Sequence, residues 1–143
     1  MESAYFTPDI EDLCIGYECE YNFARAYTDE FHFVKIGYKD VTPGKGGYYT
    51  NELTDMIHLI DDGAAAIRVP YLTKEQIEAE GWKFDYTLGD FDYYIKTVND
   101  TEYELEFCYK ERININIWKR ILYHGECKDI NTFRKICKLL GIW

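Results

Sequence analysis

The sequence contains few of the proline and glycine residues that typically form linkers between domains. It contains 3 Pro and 10 Gly in 143 residues, and no stretch is rich enough in either to act as an interdomain linker. It also shows no internal repeat and no low-complexity tract, and its 47% of apolar residues excludes intrinsic disorder. Because this length suits one core, we predict a single domain over residues 1–143.

Long apolar runs are missing as well. No run reaches the roughly 18 apolar residues that a membrane-spanning helix needs. The first five residues lack the basic and apolar regions of a secretory signal. We therefore expect a cytoplasmic protein that has no contact with a membrane.

Motifs of catalytic and metal sites are absent too. The sequence contains no C-x-x-C, H-x-x-x-H, H-E-x-x-H or G-x-S-x-G pattern, the spacings typical of zinc sites, metalloproteases and hydrolases. Its five cysteines are an odd number, which favours free thiols in a reducing compartment over a disulfide framework. The sequence thus predicts no catalytic residue, no metal and no cofactor, and we expect no enzyme.

What the chain does have is acidic charge, unevenly distributed. The formal net charge is -10, and residues 1–30 and 71–106 each carry -7, whereas residues 107–143 carry +5. This charge disfavours direct binding to a nucleic-acid duplex, because the phosphate backbone is itself anionic. It fits either a soluble protein whose oppositely charged parts attract each other or an acidic face that meets a basic partner.

Alternation of apolar and polar residues predicts two strands near the N-terminus. The first covers residues 13–23 and the second residues 31–38, with a turn over residues 24–30 between them. Glu18 and Glu20 lie on the polar face of the first strand, where their charges would face solvent.

The glycine-rich segment over residues 42–47 resembles a phosphate-binding loop only in part. Lys45 is followed by Gly rather than by the Ser or Thr that a P-loop places on magnesium, so a flexible turn is favoured. Tyr side chains suit contact surfaces because they combine large rigid area with a polar tip. A nucleotide ligand is therefore kept as an alternative, with these binding residues: Lys45, Arg68, Tyr48 and Tyr49.

Residues 50–69 allow two structures. Apolar residues at positions 53, 56, 57 and 60 follow the spacing of a helix. The Asp61-Asp62-Gly63 segment between two apolar runs is instead typical of a β-hairpin turn. We favour the hairpin.

Two helices are predicted from capping residues and periodicity. Thr73 and Gln76 form the pattern of a capping box, which begins a short helix over residues 74–80. A second, amphipathic helix over residues 130–140 begins at Asp129 or Asn131. Its apolar stripe is made by Phe133, Ile136, Cys137 and Leu140.

The clearest strand pattern covers residues 103–117, after a turn at Asn99-Asp100. The segment is too long for one strand, and a hairpin with an odd-length loop, which we place at residues 110–112, pairs Tyr109 with Ile113 and keeps apolar side chains on one face. The opposite face then carries a ladder of three carboxylates: Glu102, Glu104 and Glu106. Together the elements predict an α+β fold, with one curved, mainly antiparallel sheet of about six or seven strands, a short mid-chain helix and a C-terminal amphipathic helix.

Two segments carry a resemblance to a known group. One is Asp12-Leu13-Cys14-Ile15-Gly16, and the other runs from Pro70 to Trp82 with Tyr71 inserted before its Leu-Thr pair. With these motifs the chain resembles short proteins encoded by phages and prophages of gut Bacteroidota. The resemblance implies a viral or mobile-element origin and favours the hairpin over residues 56–69, and it supplies no catalytic residues.

We therefore expect a small acidic phage-type accessory protein that acts by binding. It would inhibit a host protein with a basic surface, of the nucleic-acid-handling or defence class, and its oligomeric state stays open. The partner-binding residues would be Glu102, Glu104, Glu106, Glu18 and Glu20. Two alternatives remain, a module that sequesters a nucleotide and a structural or packaging component of the virion.

Overall fold

A computed structural model describes residues 4–22, 31–36, 41–42, 49–50 and 66–142. The chain divides into two compact units, Met1–Pro70 (the N-terminal unit) and Tyr71–Trp143 (the C-terminal unit). Each unit has its own cluster of buried apolar residues. The single domain over residues 1–143 stays a prediction.

Over its described residues, the N-terminal unit contains a four-stranded antiparallel sheet and a separate two-stranded pair. A 3₁₀ turn at Ile10–Asp12 precedes the second strand. The strands are β1 Tyr5–Phe6, β2 Glu18–Asn22, β3 His32–Lys35, β4 Val41–Thr42, β5 Tyr49–Thr50 and β6 Ala66–Pro70. The sheet has the order β1-β6-β2-β3, and β4 pairs with β5.

The two predicted N-terminal strands form, but both are shorter than expected. β2 covers only part of residues 13–23, because the 3₁₀ turn and Gly16, whose φ is +92°, interrupt the extended backbone before it. As a result Ile15 is exposed, whereas Leu13 is still buried. The core of the unit consists of Leu13, Tyr17, Cys19, Tyr21, Val34, Ile36, Ile67 and Val69.

The α+β class and the antiparallel pairing are confirmed, but the prediction of one curved sheet is wrong. The described strands form two larger sheets, of four and five strands, and the β4–β5 pair. In the N-terminal unit β6 lies between β1 and β2, although it follows both in the sequence. Period-two alternation indicates which face of a strand is buried, and it does not indicate which strand lies beside it.

Residues 43–48 and 51–65 lie outside the described residues. The flexible turn near Lys45 and the choice between helix and hairpin for residues 50–69 therefore stay predictions. Of the residues 50–69 for which a helix or a hairpin was predicted, residues 66–69 belong to β6.

The C-terminal unit is a five-stranded antiparallel meander with two helices. Its sheet has the order β11-β10-β9-β8-β7, so every neighbour in the sheet is also a neighbour along the chain. The elements are α1 Lys74–Ala79, β7 Lys83–Leu88, β8 Phe91–Val98, β9 Thr101–Cys108, β10 Arg112–Ile117, β11 Arg120–Gly125 and α2 Ile130–Leu139.

The capping box of α1 is confirmed. The Gln76 backbone N–H donates to Thr73 Oγ1 over 3.2 Å, and the Thr73 backbone N–H donates to Gln76 Oε1 over 3.1 Å. The helix ends at Ala79 with Glu80 as its C-cap, and Gly81 then adopts a φ of +95°, a backbone conformation that favours glycine. Ile77 is therefore held against the core of the unit, in which it is fully buried.

Two tight turns set the registers of β8, β9 and β10. Asn99 and Asp100 both have positive φ, which is the pattern of a type I′ hairpin turn. The β9–β10 loop has three residues, as predicted, but it covers residues 109–111, so that Ile113 pairs with Phe107. The pairing predicted between Tyr109 and Ile113 is therefore wrong, and Tyr109 lies in the loop. A shift by two residues nevertheless leaves the side chains within the two strands on their predicted faces.

α2 confirms the predicted C-terminal helix and covers the core side of the sheet. Asp129 caps it, since its carboxylate accepts hydrogen bonds from the backbone N–H and the hydroxyl of Thr132. Phe133 is fully buried, with its ring centroid 6.1 Å from that of Trp82. The residues of this core are Leu72, Ile77, Trp82, Tyr94, Leu105, Phe107, Ile113, Ile115, Cys127, Ile130, Phe133, Ile136, Cys137 and Ile142.

Asp92 connects α1 to the edge of the sheet. Its Oδ1 accepts a 2.6 Å hydrogen bond from the Thr87 hydroxyl, and its Oδ2 lies 3.1 Å from Lys74 Nζ. The hydrogen bond from Thr87 lowers the pKa of Asp92 from its ordinary value of 3.8, and the Lys74 ammonium lowers it further. Burial acts in the opposite direction and does not cancel these two effects. The ionised form is thus the one that the fold stabilises.

Asp92→Asn is expected to reduce stability at neutral pH and to lose this effect in acid. A carboxyl whose pKa is lower in the folded state stabilises the fold above its unfolded pKa, and this stabilisation is lost as the pH falls through the folded value. Urea unfolding at pH 7 and at about pH 2 should show a difference between variant and parent that disappears in acid. Asp90→Asn, at an exposed position two residues away, is the control. An equal loss at both pH values would contradict the role of ionisation.

Candidate functional site

The three predicted glutamates lie on one face of β9. Glu102 is exposed and Glu104 and Glu106 are half-buried, while Leu105 and Phe107, at the alternate positions, belong to the buried core. Alternation along the strand places the carboxylates on the side of the sheet opposite the core. We call this side, with Glu102, Glu104 and Glu106 at its centre, the acidic face.

A pair of stacked tyrosines borders the acidic face. The rings of Tyr86 on β7 and Tyr93 on β8 are nearly parallel, with an interplanar angle of 6° and centroids 4.4 Å apart. Tyr93 is the direct cross-strand neighbour of Glu106. Desolvation and then the negative charges of nearby carboxylates, Glu104 and Glu106 among them, raise the pKa of both phenols. Both hydroxyls therefore stay protonated and can donate hydrogen bonds at neutral pH.

A polar network fixes the other side of the acidic face. Glu106 accepts hydrogen bonds from Asn114 Nδ2 over 2.7 Å and from Asn116 Nδ2 over 3.3 Å. His124 Nδ1 donates to Asn114 Oδ1, so the network runs from β9 through β10 to β11. Two neutral amides hold Glu106 in place, and they leave its charge unneutralised.

Among the described residues, no basic side chain forms an ion pair with the three glutamates of the acidic face, Glu102, Glu104 and Glu106. Unpaired carboxylates on neighbouring positions create a negative potential that attracts cations and basic surfaces. The face can therefore bind a partner through charge and through the aromatic area of Tyr86 and Tyr93.

In the N-terminal unit, Glu20 and Arg68 contact each other. Arg68 Nε donates to Glu20 Oε1 over 2.9 Å, and a second guanidinium nitrogen lies 2.7 Å from the same oxygen. The guanidinium also lies 3.8 Å from the centroid of the Tyr5 ring and 4.0 Å from that of Phe31. The sequence assigned Glu20 to a partner surface and Arg68 to a nucleotide site, and the structure joins the two in one contact.

The remaining predicted site residues are only partly described. Glu18 is half-buried on β2, opposite Lys35 on β3. Tyr49 belongs to β5, and its side chain lies outside the described residues, as do Lys45 and Tyr48. The nucleotide site therefore stays a prediction.

The thiols of Cys19 and Cys137 have raised pKa values and suit packing rather than nucleophilic catalysis. All five cysteines are free. Burial, with a smaller contribution from Glu20, raises the pKa of Cys19 to about 12, and burial raises that of Cys137 to about 11. Because the thiolate is the reactive form, these two groups are not poised for nucleophilic attack at neutral pH.

Alternation over residues 103–117 also predicts that Asn114 and Asn116 lie on the face of the glutamates, and their hydrogen bonds to Glu106 confirm it. Sequence analysis missed Tyr86 and His124. The register between β7 and β8 shifts between Phe84 and Tyr86, so counting by two along the sequence misplaces Tyr86. His124 joins the face through its pairing with Asn114, which alternation within one strand does not reveal.

Comparisons with protein-family models, curated proteins and solved structures find no match to this chain. None of the described helices has the length and apolar character needed to cross a membrane. Within the described ranges, no three His, Cys, Asp or Glu side chains come together in a way that would hold a metal ion.

Proposed function

We propose that this chain is a binding protein whose acidic face covers a basic surface of another protein. The observation that carries the proposal is the row of three carboxylates on β9, none of which takes part in an ion pair among the described residues. Charge of this kind raises association rates and selects partners of opposite sign. In keeping with the resemblance to phage-encoded proteins, the partner would be a host protein of the nucleic-acid-handling or defence class.

The surroundings of the carboxylates support binding rather than catalysis. General acid–base chemistry uses a carboxyl in a pocket that raises its pKa towards neutrality. Glu102 is exposed, and the carboxylate of Glu106 accepts hydrogen bonds from two neutral amides. Both features keep the charge available to a partner, and the Tyr86–Tyr93 pair adds the flat aromatic area that is common in interfaces.

The proposal is tested by the salt dependence of binding. The chain is used to capture a partner from a lysate of gut Bacteroidota, and the purified partner is then titrated at low and at high salt. Because rim charges act mainly on association, the double variant Glu102→Gln, Glu104→Gln should bind about tenfold more weakly at low salt. The difference should shrink at high salt, where exposed charges are screened.

The control is the double variant Glu75→Gln, Glu78→Gln, which removes the same amount of charge from exposed positions on α1. It should bind as the parent does to within a few fold, since its carboxylates lie off the acidic face. An affinity that does not change with salt, or an equal loss in both double variants, would overturn the proposal.

A further inference from the structure

An exposed tryptophan stands at the turn between β10 and β11. The turn consists of Trp118 and Lys119, because Ile117 pairs directly with Arg120. Trp118 is 88% exposed and Ile121, just after the turn, is 68% exposed. We call Trp118 and Ile121 the hairpin anchor. Large apolar side chains grouped at the surface mark contact sites more often than single exposed ones do.

The backbone conformation at Trp118 is one that a tryptophan adopts only at a cost in stability. Its φ is +49°, and Lys119 does not share the positive φ, which matches the type II′ pattern with its preference for Gly at the first turn position. A positive φ is rare for a bulky side chain and costs stability. An aromatic ring placed in solvent on a strained turn needs a compensating role, and contact with a partner would supply it.

The hairpin anchor is continuous with the acidic face. Ile121 pairs with Asn116, and Asn116 pairs with Glu104, so these three side chains follow one another across β11, β10 and β9. Arg120 pairs with Ile117, on the alternate rows, so it leaves the sheet on the other side. Lys119 Nζ lies 6.0 Å from the centroid of the Trp118 ring. The apolar anchor and the carboxylates are thus available to the same partner.

We propose that Trp118, supported by Ile121, is the anchor of the interface that the acidic face forms, inserting into an apolar pocket with basic residues around it. This inference rests on the proposed function and adds the shape of the partner: a basic protein surface with a cleft for one indole ring. Interfaces gain most of their affinity from a few such residues, Trp foremost among them, while surrounding charges contribute mainly rate and selectivity.

The test uses an array of synthetic 15-residue peptides as the probe, in which the number of Lys and Arg and the number of apolar residues vary independently. The full-length parent should prefer peptides that have both. Trp118→Gly should bind these peptides about 30-fold more weakly, the factor that corresponds to a 2 kcal/mol hot spot, and should lose the preference for apolar residues. Glu102→Gln, Glu104→Gln should instead lose the preference for basic ones.

Trp118→Gly keeps the test independent of misfolding. Because Gly adopts the positive φ without strain, the variant should unfold at the same temperature as the parent or at a higher one. Leu139→Gly would disturb a helix, so the matched control is Leu139→Ala, which removes an 86% exposed apolar side chain outside the anchor and should leave binding unchanged.

The two proposals fail in different ways. The proposed function would be overturned if the parent showed no preference for basic peptides. It would also be overturned if the variant Glu102→Gln, Glu104→Gln kept that preference. Equal binding by Trp118→Gly and the parent, with the basic preference intact, would overturn the anchor alone. Binding to vesicles of anionic lipid that exceeds binding to every peptide, and that Trp118→Gly abolishes, would assign the anchor to a membrane and overturn its assignment to a protein cleft.

Discussion

Phe133→Ala is expected to lower the unfolding free energy by about 3–5 kcal/mol. Phe133 is completely buried where α2 meets the sheet, and its ring packs against Trp82. Removing the ring loses its burial and leaves a cavity that a close-packed core fills only in part. Urea unfolding followed by circular dichroism measures the loss.

A matched substitution on the same helix separates packing from helix formation. Leu139→Ala removes a side chain that is 86% exposed, so it should change the unfolding free energy by no more than about 0.5 kcal/mol. Both variants introduce alanine, which has the highest helix propensity. Similar losses in the two variants would contradict the placement of Phe133 in the core.

Asp129→Ala should have the second largest effect, about 2–3 kcal/mol. The buried carboxylate caps α2 through the backbone N–H of Thr132 and also accepts a 2.8 Å hydrogen bond from Asn131 Nδ2. Alanine removes the acceptor for these two donors and for the Thr132 hydroxyl, and the loss of a buried acceptor costs more than the loss of an exposed cap.

The conservative variant Asp129→Asn tests whether the acceptor or the charge stabilises the helix. Asn caps helices nearly as well as Asp, so most of the stability should remain when unfolding is measured in urea. If Asp129→Asn were as unstable as Asp129→Ala, the ionised carboxylate rather than the cap would carry the effect.

Features that depend on neighbouring residues in the sequence were predicted well. Thr73 and Gln76 lie three positions apart, and the hydrogen bonds that they form follow from this spacing. The faces of β9 and β10 were correct because alternation assigns each residue within these two strands to one side or the other. The same alternation placed Glu102, Glu104 and Glu106 together.

Features that depend on which elements meet were not predictable in this way. Nothing in the sequence near Arg68 indicates that β6 pairs with β2 and brings Arg68 to Glu20. The position of Tyr86 depends on an irregularity in the pairing of β7 with β8, and the exposure of Trp118 depends on a turn. Trp118 and Ile121 are both large and apolar, and their exposure to solvent does not follow from their residue types.

The order of strands in the two units has a consequence for how the chain forms as it is synthesised. Each strand from β7 to β11 can pair with the strand made just before it, so the meander can assemble one hairpin at a time. β2 instead waits for β6, since Glu20 and Arg68 are 48 residues apart. At ribosomal rates of roughly 5–20 residues per second, one edge of β2 stays open for about 2–10 s, and during that interval the nascent N-terminal unit is the part of the chain most exposed to pairing with other strands.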